Sequence, residues 1–197
     1  MAQIHLGWRK YRLVFGSLVF IITLVLMSAC GAAGGKTEGG MEKHLPLTEE
    51  LFSSFIEVVT QYPDGALAFP EQSGLFQGPR LRTGIITFQF AEKNRIYFCT
   101  NSGKSWYQSL KKNPAVSYCT YAEDFEPVLS FNGKVVFVED MALKARLIES
   151  KPHLKRIYET PENPVFKVFY INVENIETYG SDGAVIYEAG RDERLPE

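Results

Sequence analysis

Cysteine and histidine are scarce in this sequence, and the few residues of each type lie far apart. Among 197 residues there are three of each, with no Cys-x-x-Cys and no His-Glu-x-x-His. Spacings of this kind bring together the ligands of many zinc sites. We therefore expect no metal site.

The sequence also lacks a surplus of positive charge and a Gly-x-Gly-x-x-Gly motif. It carries 21 Lys and Arg against 23 Asp and Glu, for a formal net charge of −2. Nucleic-acid binding normally needs a basic face, so we expect no nucleic-acid partner. Without the glycine motif, the usual dinucleotide-binding turn of a Rossmann fold is excluded as well.

What is present is the composition of a globular protein. Hydrophobic residues make up 45% of the chain and charged residues 22%, which are ordinary values for a folded domain. The aromatic content of 13% favours β structure. A chain of this length suits one domain.

The N-terminus is predicted to be an export signal. Basic residues between positions 9 and 12 precede the apolar run Leu13–Met27, which at 15 residues is short for a membrane-spanning helix of about 20. The run ends in Ser28-Ala29-Cys30, which resembles the lipobox of a bacterial lipoprotein. We predict a signal peptide over residues 1–29, lipidation of Cys30 and a location on the extracytoplasmic face of a bacterial membrane. The alternative is an uncleaved membrane anchor with an incidental cysteine.

The remainder divides into a tether and a folded domain. Residues 30–45 are rich in glycine and lack an apolar period, which predicts a flexible tether. Residues 46–197 alternate between strand-like and helix-like patterns and form the predicted domain. Its first helix begins near Pro46 with Thr48 as its cap.

The domain is predicted to be mainly β, an α+β antiparallel split β-barrel with a few outer helices. Strands are predicted at residues 65–69, 80–90, 95–99, 115–121, 128–138 with a bulge at Asn132-Gly133, 165–173, 175–179 and 184–187. Helices are predicted at residues 46–61, around Trp106, and at 141–150 and 151–157. A lipocalin-like barrel is the main rival, but the helix around Trp106 interrupts the simple hairpins of that fold.

The strand over residues 80–90 leads toward a predicted anion-binding corner. Its alternation predicts that Gly84, Ile86, Phe88 and Phe90 share one face, which packs on the core. After the next strand, residues 100–104 bring hydroxyl groups, backbone N–H groups and a lysine to the start of a helix. Such a helix N-terminus suits a negatively charged group, most simply a phosphate.

Two cysteines fall on strands that the pattern predicts to be neighbours. They are Cys99 and Cys119. Export permits a disulfide between them, and buried free thiols are the alternative.

Several segments, taken in order, resemble the pyridoxamine 5′-phosphate oxidase-like family of FMN-binding split barrels. They are GPRLRTGIITFQF (78–90), RIYFCTNSGKSWYQSLKKNPAVSYCTY (95–121), FNGKVVFV (131–138) and HLKRIYETPENPVFKVFYI (153–171). The resemblance covers residues 47–182. Its most specific part is the run T-x-x-x-K-x-x-x-x-x-L-x-x-N-P that begins at Thr100.

The resemblance implies a homodimer with one FMN in each of two clefts at the interface. Phosphate-binding residues in this family come from segments that match 80–83 and 100–104 here. It therefore implies that the FMN contacts of this chain are Arg80, Arg82, Thr83, Thr100, Ser102 and Lys104. Which of the two arginines faces the phosphate stays open. The alternative is that both are surface charges on an edge strand and that Thr100 or Ser102 caps the helix.

Departures from the family pattern affect the expected reaction. Ser105 and Trp106 stand where true pyridoxamine phosphate oxidases carry Arg-Lys, and residues 87–89 lack their substrate lysine. We therefore expect a flavin oxidoreductase acting on a small molecule other than vitamin B6, with no identifiable catalytic side chain. Trp106 is interpreted as a packing residue. The alternatives are a non-catalytic binding protein for flavin, deazaflavin or haem, and a structural barrel without cofactor.

Overall fold

The computed structural model describes residues 43–72, 79–180 and 185–190. From Glu42 onward the chain forms one compact unit. The predicted signal peptide and Cys30 lie outside the described residues.

Eight strands and four helices occur in this described part. The strands are β1 (Lys43–Pro46), β2 (Asp64–Gln72), β3 (Pro79–Glu92), β4 (Arg95–Asn101), β5 (Ala115–Tyr121), β6 (Val128–Val138), β7 (Phe166–Tyr179) and β8 (Val185–Gly190). The helices are α1 (Glu49–Gln61), α2 (Ser105–Lys112), α3 (Met141–Ser150) and α4 (Pro152–Tyr158). Thr48 caps α1 as predicted, because its hydroxyl accepts the Leu51 N–H at 3.2 Å. No helix in these ranges is long and apolar enough to cross a bilayer.

Six of the strands close into a ring. Around it the order is β7-β4-β3-β2-β5-β6, and the pairing of β6 with β7 completes the circle. Every pair in the ring is antiparallel. β8 extends the sheet outward from β7, and β1 pairs with β8 in parallel. The predicted antiparallel split barrel is confirmed, and the strand order differs from the simple up-and-down order of a lipocalin.

Large aromatic side chains fill the barrel. Phe98 lies 4.8 Å from Tyr118 and 5.5 Å from Phe169, measured between ring centroids, and Tyr118 lies 6.2 Å from Phe131. All four are fully buried. The Tyr118 hydroxyl donates to the Pro63 carbonyl at 2.9 Å, so its polar end is satisfied inside the core.

A second apolar cluster lies outside the barrel, where α3 and α4 cover β4 and β7. Its buried members include Tyr97, Leu147, Leu154, Tyr158 and Phe166. The rings of Tyr158 and Phe166 stack with centroids 4.4 Å apart. The helices therefore hide the outward face of one side of the barrel only.

The predicted alternation of side chains between the two faces of β3 is correct in the middle of the strand and wrong at its end. Ile86 and Phe88 are buried as predicted. The pairing of β3 with β4 shifts register between Phe88 and Phe90. Phe90 therefore stacks on Tyr97 at 4.2 Å in the outer cluster, and Gln89 is buried. Placing Phe90 on the inner face was wrong, because a bulge changes the side to which the following residue points.

The two cysteines are free, and their strands are not neighbours. β3 and β2 lie between β4, which carries Cys99, and β5, which carries Cys119. The expectation of neighbouring strands was wrong, and the thiols are not joined. Burial raises the pKa of the Cys99 thiol to about 12 and also raises the pKa of Cys119.

β1 begins within the last residues of the predicted tether. Lys43 to Pro46 pair with Tyr187 to Gly190 of β8. This strand depends on a partner that is more than a hundred residues away along the chain. No local pattern predicts such a pairing.

An irregularity at Asn132-Gly133 is confirmed in position, but the extra residue is Glu174 of β7, because Asn132 pairs with Asn175 and Gly133 with Val173. The register of β6 against β7 shifts between Asn132 and Gly133. A Cβ atom on Gly133 would lie 2.1 Å from the Asn172 carbonyl oxygen. Only a residue without a side chain fits this approach.

We predict that Gly133→Ala destabilises the fold. The added methyl group would meet backbone atoms, and overpacking of this kind costs about 2 kcal/mol of unfolding free energy. Urea unfolding followed by circular dichroism measures the change. Gly84→Ala is the matched control, because its added Cβ would meet its nearest neighbour at an ordinary 3.6 Å. Equal losses for the two variants would contradict the prediction.

Candidate anion-binding site

The first half of β3 carries two arginines on the same face of the sheet. Arg80 lies directly opposite Glu71 of β2, and Arg82 lies opposite Phe69. Because side chains alternate along a strand, both arginines share a face with Gly84. In this half of β3 only β2 is a pairing partner among the described residues, since the pairing with β4 begins at Phe88. Both arginines are exposed, so the alternative of surface charges on an edge strand stays open.

The loop after β4 brings a lysine to the start of α2. Gly103 donates its N–H to the Asn101 side-chain oxygen at 2.7 Å, and Lys104 donates its N–H to the Asn101 carbonyl at 3.0 Å. Lys104 is itself the N-cap of α2, and its side chain makes no capping hydrogen bond. The alternative that Thr100 or Ser102 caps this helix was therefore wrong.

Trp106 brings the arginine strand and the lysine loop together. Its ring centroid lies 5.8 Å from that of Phe69, and its Nε1 lies 3.6 Å from where a Cβ on Gly84 would stand. The Lys104 ammonium lies 5.1 Å from the Trp106 ring centroid, within range of a cation–π contact. Trp106 thus contacts Phe69, which lies opposite Arg82 on the sheet, and lies under Lys104. We call this region the Arg82–Lys104 corner.

One carboxylate faces the arginines of the corner. Arg82 Nη1 donates to both oxygens of Glu71, at 3.0 and 3.1 Å. The Arg82 side chain is 46% exposed, whereas that of Glu71 is 16% exposed. With Arg80 and Lys104, the corner holds three cations and one carboxylate.

The predicted hydroxyl residues occupy three different settings. Ser102 is half-buried in the loop, and its N–H donates to the Val165 carbonyl at 2.9 Å. Thr100 is fully buried in the barrel, and its hydroxyl has no hydrogen-bond partner among the described residues. Thr83 is exposed on the opposite face of β3 from Arg82. The structure therefore brings Ser102 near Lys104 along the chain and does not bring Thr83 to the corner.

A lysine that the sequence analysis missed lies next to Thr100. Lys167 of β7 is directly opposite Thr100 in the register of the two strands. Its ammonium donates to Glu139 at 2.9 Å, and buried Lys144 donates to the same carboxylate at 2.9 Å. The hydrogen bonds from Lys167 and Lys144 lower the pKa of Glu139. The signal in the sequence was a lysine inside the apolar run VFKVFYINV.

Glu71 was missed as well, and its signal is weaker. It follows Pro70 at the end of a short apolar strand, where an acidic residue is unremarkable by itself. Its proximity to the arginines follows only from the register of β2 and β3.

The residues of the corner are suited to binding a ligand. Its cations suit an anion, and Trp106 and Phe69 supply apolar surface. In the part of the chain described above, no three His, Cys, Asp or Glu side chains gather as metal ligands would.

Beside the corner, the outward face of β3 is apolar and exposed. Leu81 is 82% exposed and Ile85 is 73% exposed. The neighbouring strand presents small side chains there, with Ala66 opposite Ile85 and Ala68 opposite Thr83. We call this surface the Leu81–Ile85 face.

Comparison with known proteins identifies the fold of the chain through solved structures. No protein-family model matches the chain, and no curated protein matches it. Solved structures do match it at low sequence identity.

Two of these structures are of general stress protein 26 and of a protein related to it. General stress protein 26 from Bacillus anthracis is 21% identical, with a TM-score of 0.53 over 67% of this chain and 95% of that protein. A related protein of the pyridoxinephosphate oxidase family from Clostridium acetobutylicum is 16% identical, with a TM-score of 0.59 over 75% of this chain and 99% of that protein.

A third match is a heme-binding protein from Mycobacterium smegmatis. It is 15% identical, with a TM-score of 0.54 over 68% of this chain and 55% of that protein. At these identities the likeness concerns the fold. The chain has the split-barrel fold of pyridoxamine 5′-phosphate oxidase-like and general stress protein 26 proteins.

Proposed function

We propose that this protein binds FMN and is a flavin-dependent oxidoreductase acting on a small molecule other than vitamin B6. The observation that carries the proposal is the Arg82–Lys104 corner, where a strand and a helix N-terminus of a split barrel converge on cations. A solved structure with this fold is that of a protein of the pyridoxinephosphate oxidase family, a family named for a phosphorylated compound.

The donors of the corner fit a phosphate group. Arg82 offers a planar guanidinium that can contact two phosphate oxygens, and Lys104 adds a point charge. The first N–H groups of α2 have no side-chain cap, so they remain available to an anion. Ser102 adds a hydroxyl donor. These are the residues that we propose hold the phosphate, with Arg80 in support.

Lys104 itself favours this interpretation. A cation at a helix N-terminus interacts unfavourably with the helix dipole, and the first turn of α2 contains no acidic residue. A bound phosphate would offset both charges. A bound anion would therefore explain why a lysine is tolerated at the N-terminus of this helix.

FMN, when bound, supplies the redox chemistry. The residues of this chain hold the phosphate, and the backbone of Arg82 to Ile85 lies along the strand that would meet the flavin edge. Thr100 and Thr83 stay predictions: the first is buried opposite Lys167 and the second is exposed on the outward face of β3.

We further propose that two copies pair through the Leu81–Ile85 face. Two large apolar side chains stand exposed there beside small alanines, and exposed apolar patches often mark protein interfaces. The face belongs to the same strand as Arg82 but to the opposite side of the sheet, so a partner copy would lie across β3 from the corner. Thr83 would then lie in the interface.

We also propose that the domain is exported and anchored by a lipid on Cys30. The support is the sequence of residues 1–30, in which basic residues, an apolar run and a small-residue segment ending in cysteine follow one another. The tether would hold the barrel near the extracytoplasmic face of the membrane.

The first test is an absorbance spectrum of the full-length chain, purified in mild detergent because of its apolar N-terminal run. We expect flavin bands near ~450 nm that bleach when NAD(P)H is added without oxygen, because the cofactor carries the chemistry. A colourless protein that takes up no added FMN would contradict the proposal.

A binding protein without turnover is the second candidate. The observation that favours it is the likeness in fold to a heme-binding protein. Bound flavin that no donor reduces would support this candidate, as would a Soret band of bound haem in the same spectrum. The lack of an identifiable catalytic side chain is compatible with both candidates.

The phosphate assignment predicts the effect of removing the cations. Arg82→Ala and Lys104→Ala should each weaken FMN binding on the order of 10-fold or more, since each loses a charged hydrogen bond. Flavin fluorescence titration measures the change, and riboflavin, which lacks the phosphate, should bind all the variants alike. Arg156→Ala and Lys155→Ala remove exposed cations of α4 and are the matched controls. Unchanged FMN affinity in Arg82→Ala would refute the assignment.

The dimer proposal predicts a change in mass. Ile85→Asp should convert the dimer into monomers, because it buries a carboxylate in an apolar interface. Ile157→Asp is the matched control, since Ile157 is an isoleucine of α4 that is 57% exposed away from β3. Light scattering, with the share of the detergent subtracted, measures the mass. A wild-type monomer, or equal effects of the two substitutions, would contradict the proposal.

A further inference from the structure

The Glu71–Arg82 ion pair has a consequence for ligand selection. We propose that Glu71 is a positioning residue that orients Arg82 toward a ligand's terminal phosphate, so that the site distinguishes FMN from riboflavin. The inference rests on the proposed function, because it concerns the same corner.

The geometry of the ion pair leaves one edge of the guanidinium open. Both Glu71 oxygens accept from the same nitrogen, Nη1 of Arg82, at 3.0 and 3.1 Å. Within the described ranges, Nε and Nη2 of Arg82 donate to no protein acceptor. These two nitrogens form the fork that contacts a pair of phosphate oxygens. Glu71 thus occupies the end of the guanidinium and leaves the two-donor side for a ligand.

The burial of the two partners shows which one directs the other. Glu71 is 16% exposed, and its part of β2 pairs with β3, where it lies opposite Arg80. Arg82 is 46% exposed, and its long side chain is free to rotate without a partner. The more buried carboxylate therefore restrains the more exposed cation. Restricting Arg82 before binding lowers the conformational entropy that phosphate binding must otherwise overcome.

A carboxylate near a phosphate also repels it, so the two effects oppose each other. The charges of the corner decide between them. Glu71 lies directly opposite Arg80 and accepts from Arg82, so its negative charge lies between two cations. Lys104 adds a third positive charge. Arg82 and Lys104 together outweigh the single charge of Glu71 even when Arg80 is left out of the sum, so we expect orientation to be the larger effect.

The experiment compares two ligands that differ only in the phosphate. The full-length chain in mild detergent is titrated with FMN and with riboflavin, and flavin fluorescence reports binding. We expect Glu71→Gln, which keeps the size and loses the charge, to weaken FMN binding by about five-fold, within the range of coupled neighbours. Riboflavin binding should not change. Glu57→Gln, an exposed position on α1, is the control for charge.

A double-mutant cycle separates positioning from a general loss of folding. If Glu71 acts through Arg82, Glu71→Gln should cause no further loss of FMN affinity in an Arg82→Ala background, where only the repulsion between carboxylate and phosphate is left to remove. FMN affinity that is unchanged or higher in Glu71→Gln would overturn the inference. A loss that persists with Arg82→Ala, or that is equal for riboflavin, would overturn it too. If the wild type binds no FMN at all, both the proposed function and this inference are refuted. The other negative results refute only this inference and leave FMN binding intact.

Discussion

The structure depends above all on the pairing of β6 with β7, which closes the sheet into a ring. Eleven residues of β6, from Val128 to Val138, pair with β7 along its length. A closed sheet has no freedom to slip, because a shift of one residue would turn every inner side chain outward. Closure therefore sets the register of the remaining strands. The close approach at Gly133 is where this pairing bends.

The candidate site is a product of that closure. Once β2, β3 and β4 hold fixed registers, Glu71, Arg82 and the loop after Asn101 come to one end of the barrel. Trp106 packs on Phe69 and beside Gly84, so α2 cannot move independently of the strands. The corner is thus rigid on both sides. A rigid site of cations is suited to holding a cofactor, and it leaves the choice of reaction to that cofactor and to whatever lies beside it.

Much of the fold could be predicted because local sequence patterns specify its elements. The alternation around Ile86 and Phe88 and the cap at Thr48 are each decided by near neighbours in the chain. Predictions failed where pairing with a distant strand decides the direction of a side chain or the order of the strands. The bulge that turns Phe90 outward and the two strands that separate Cys99 from Cys119 both depend on pairing partners far along the chain.

For the site, the sequence by itself determined the inventory: a basic strand start, a hydroxyl-rich loop and a lysine at a helix N-terminus. Residue type and spacing are local properties, and the chemistry of an anion site can be inferred from them. Only the tertiary structure decided which of these residues meet. It packed Trp106 against Phe69 and beside Gly84, turned Thr83 away, buried Thr100 opposite Lys167 and paired Glu71 with Arg82. Those outcomes depend on strand register, which is set by long-range packing rather than by any neighbouring residue.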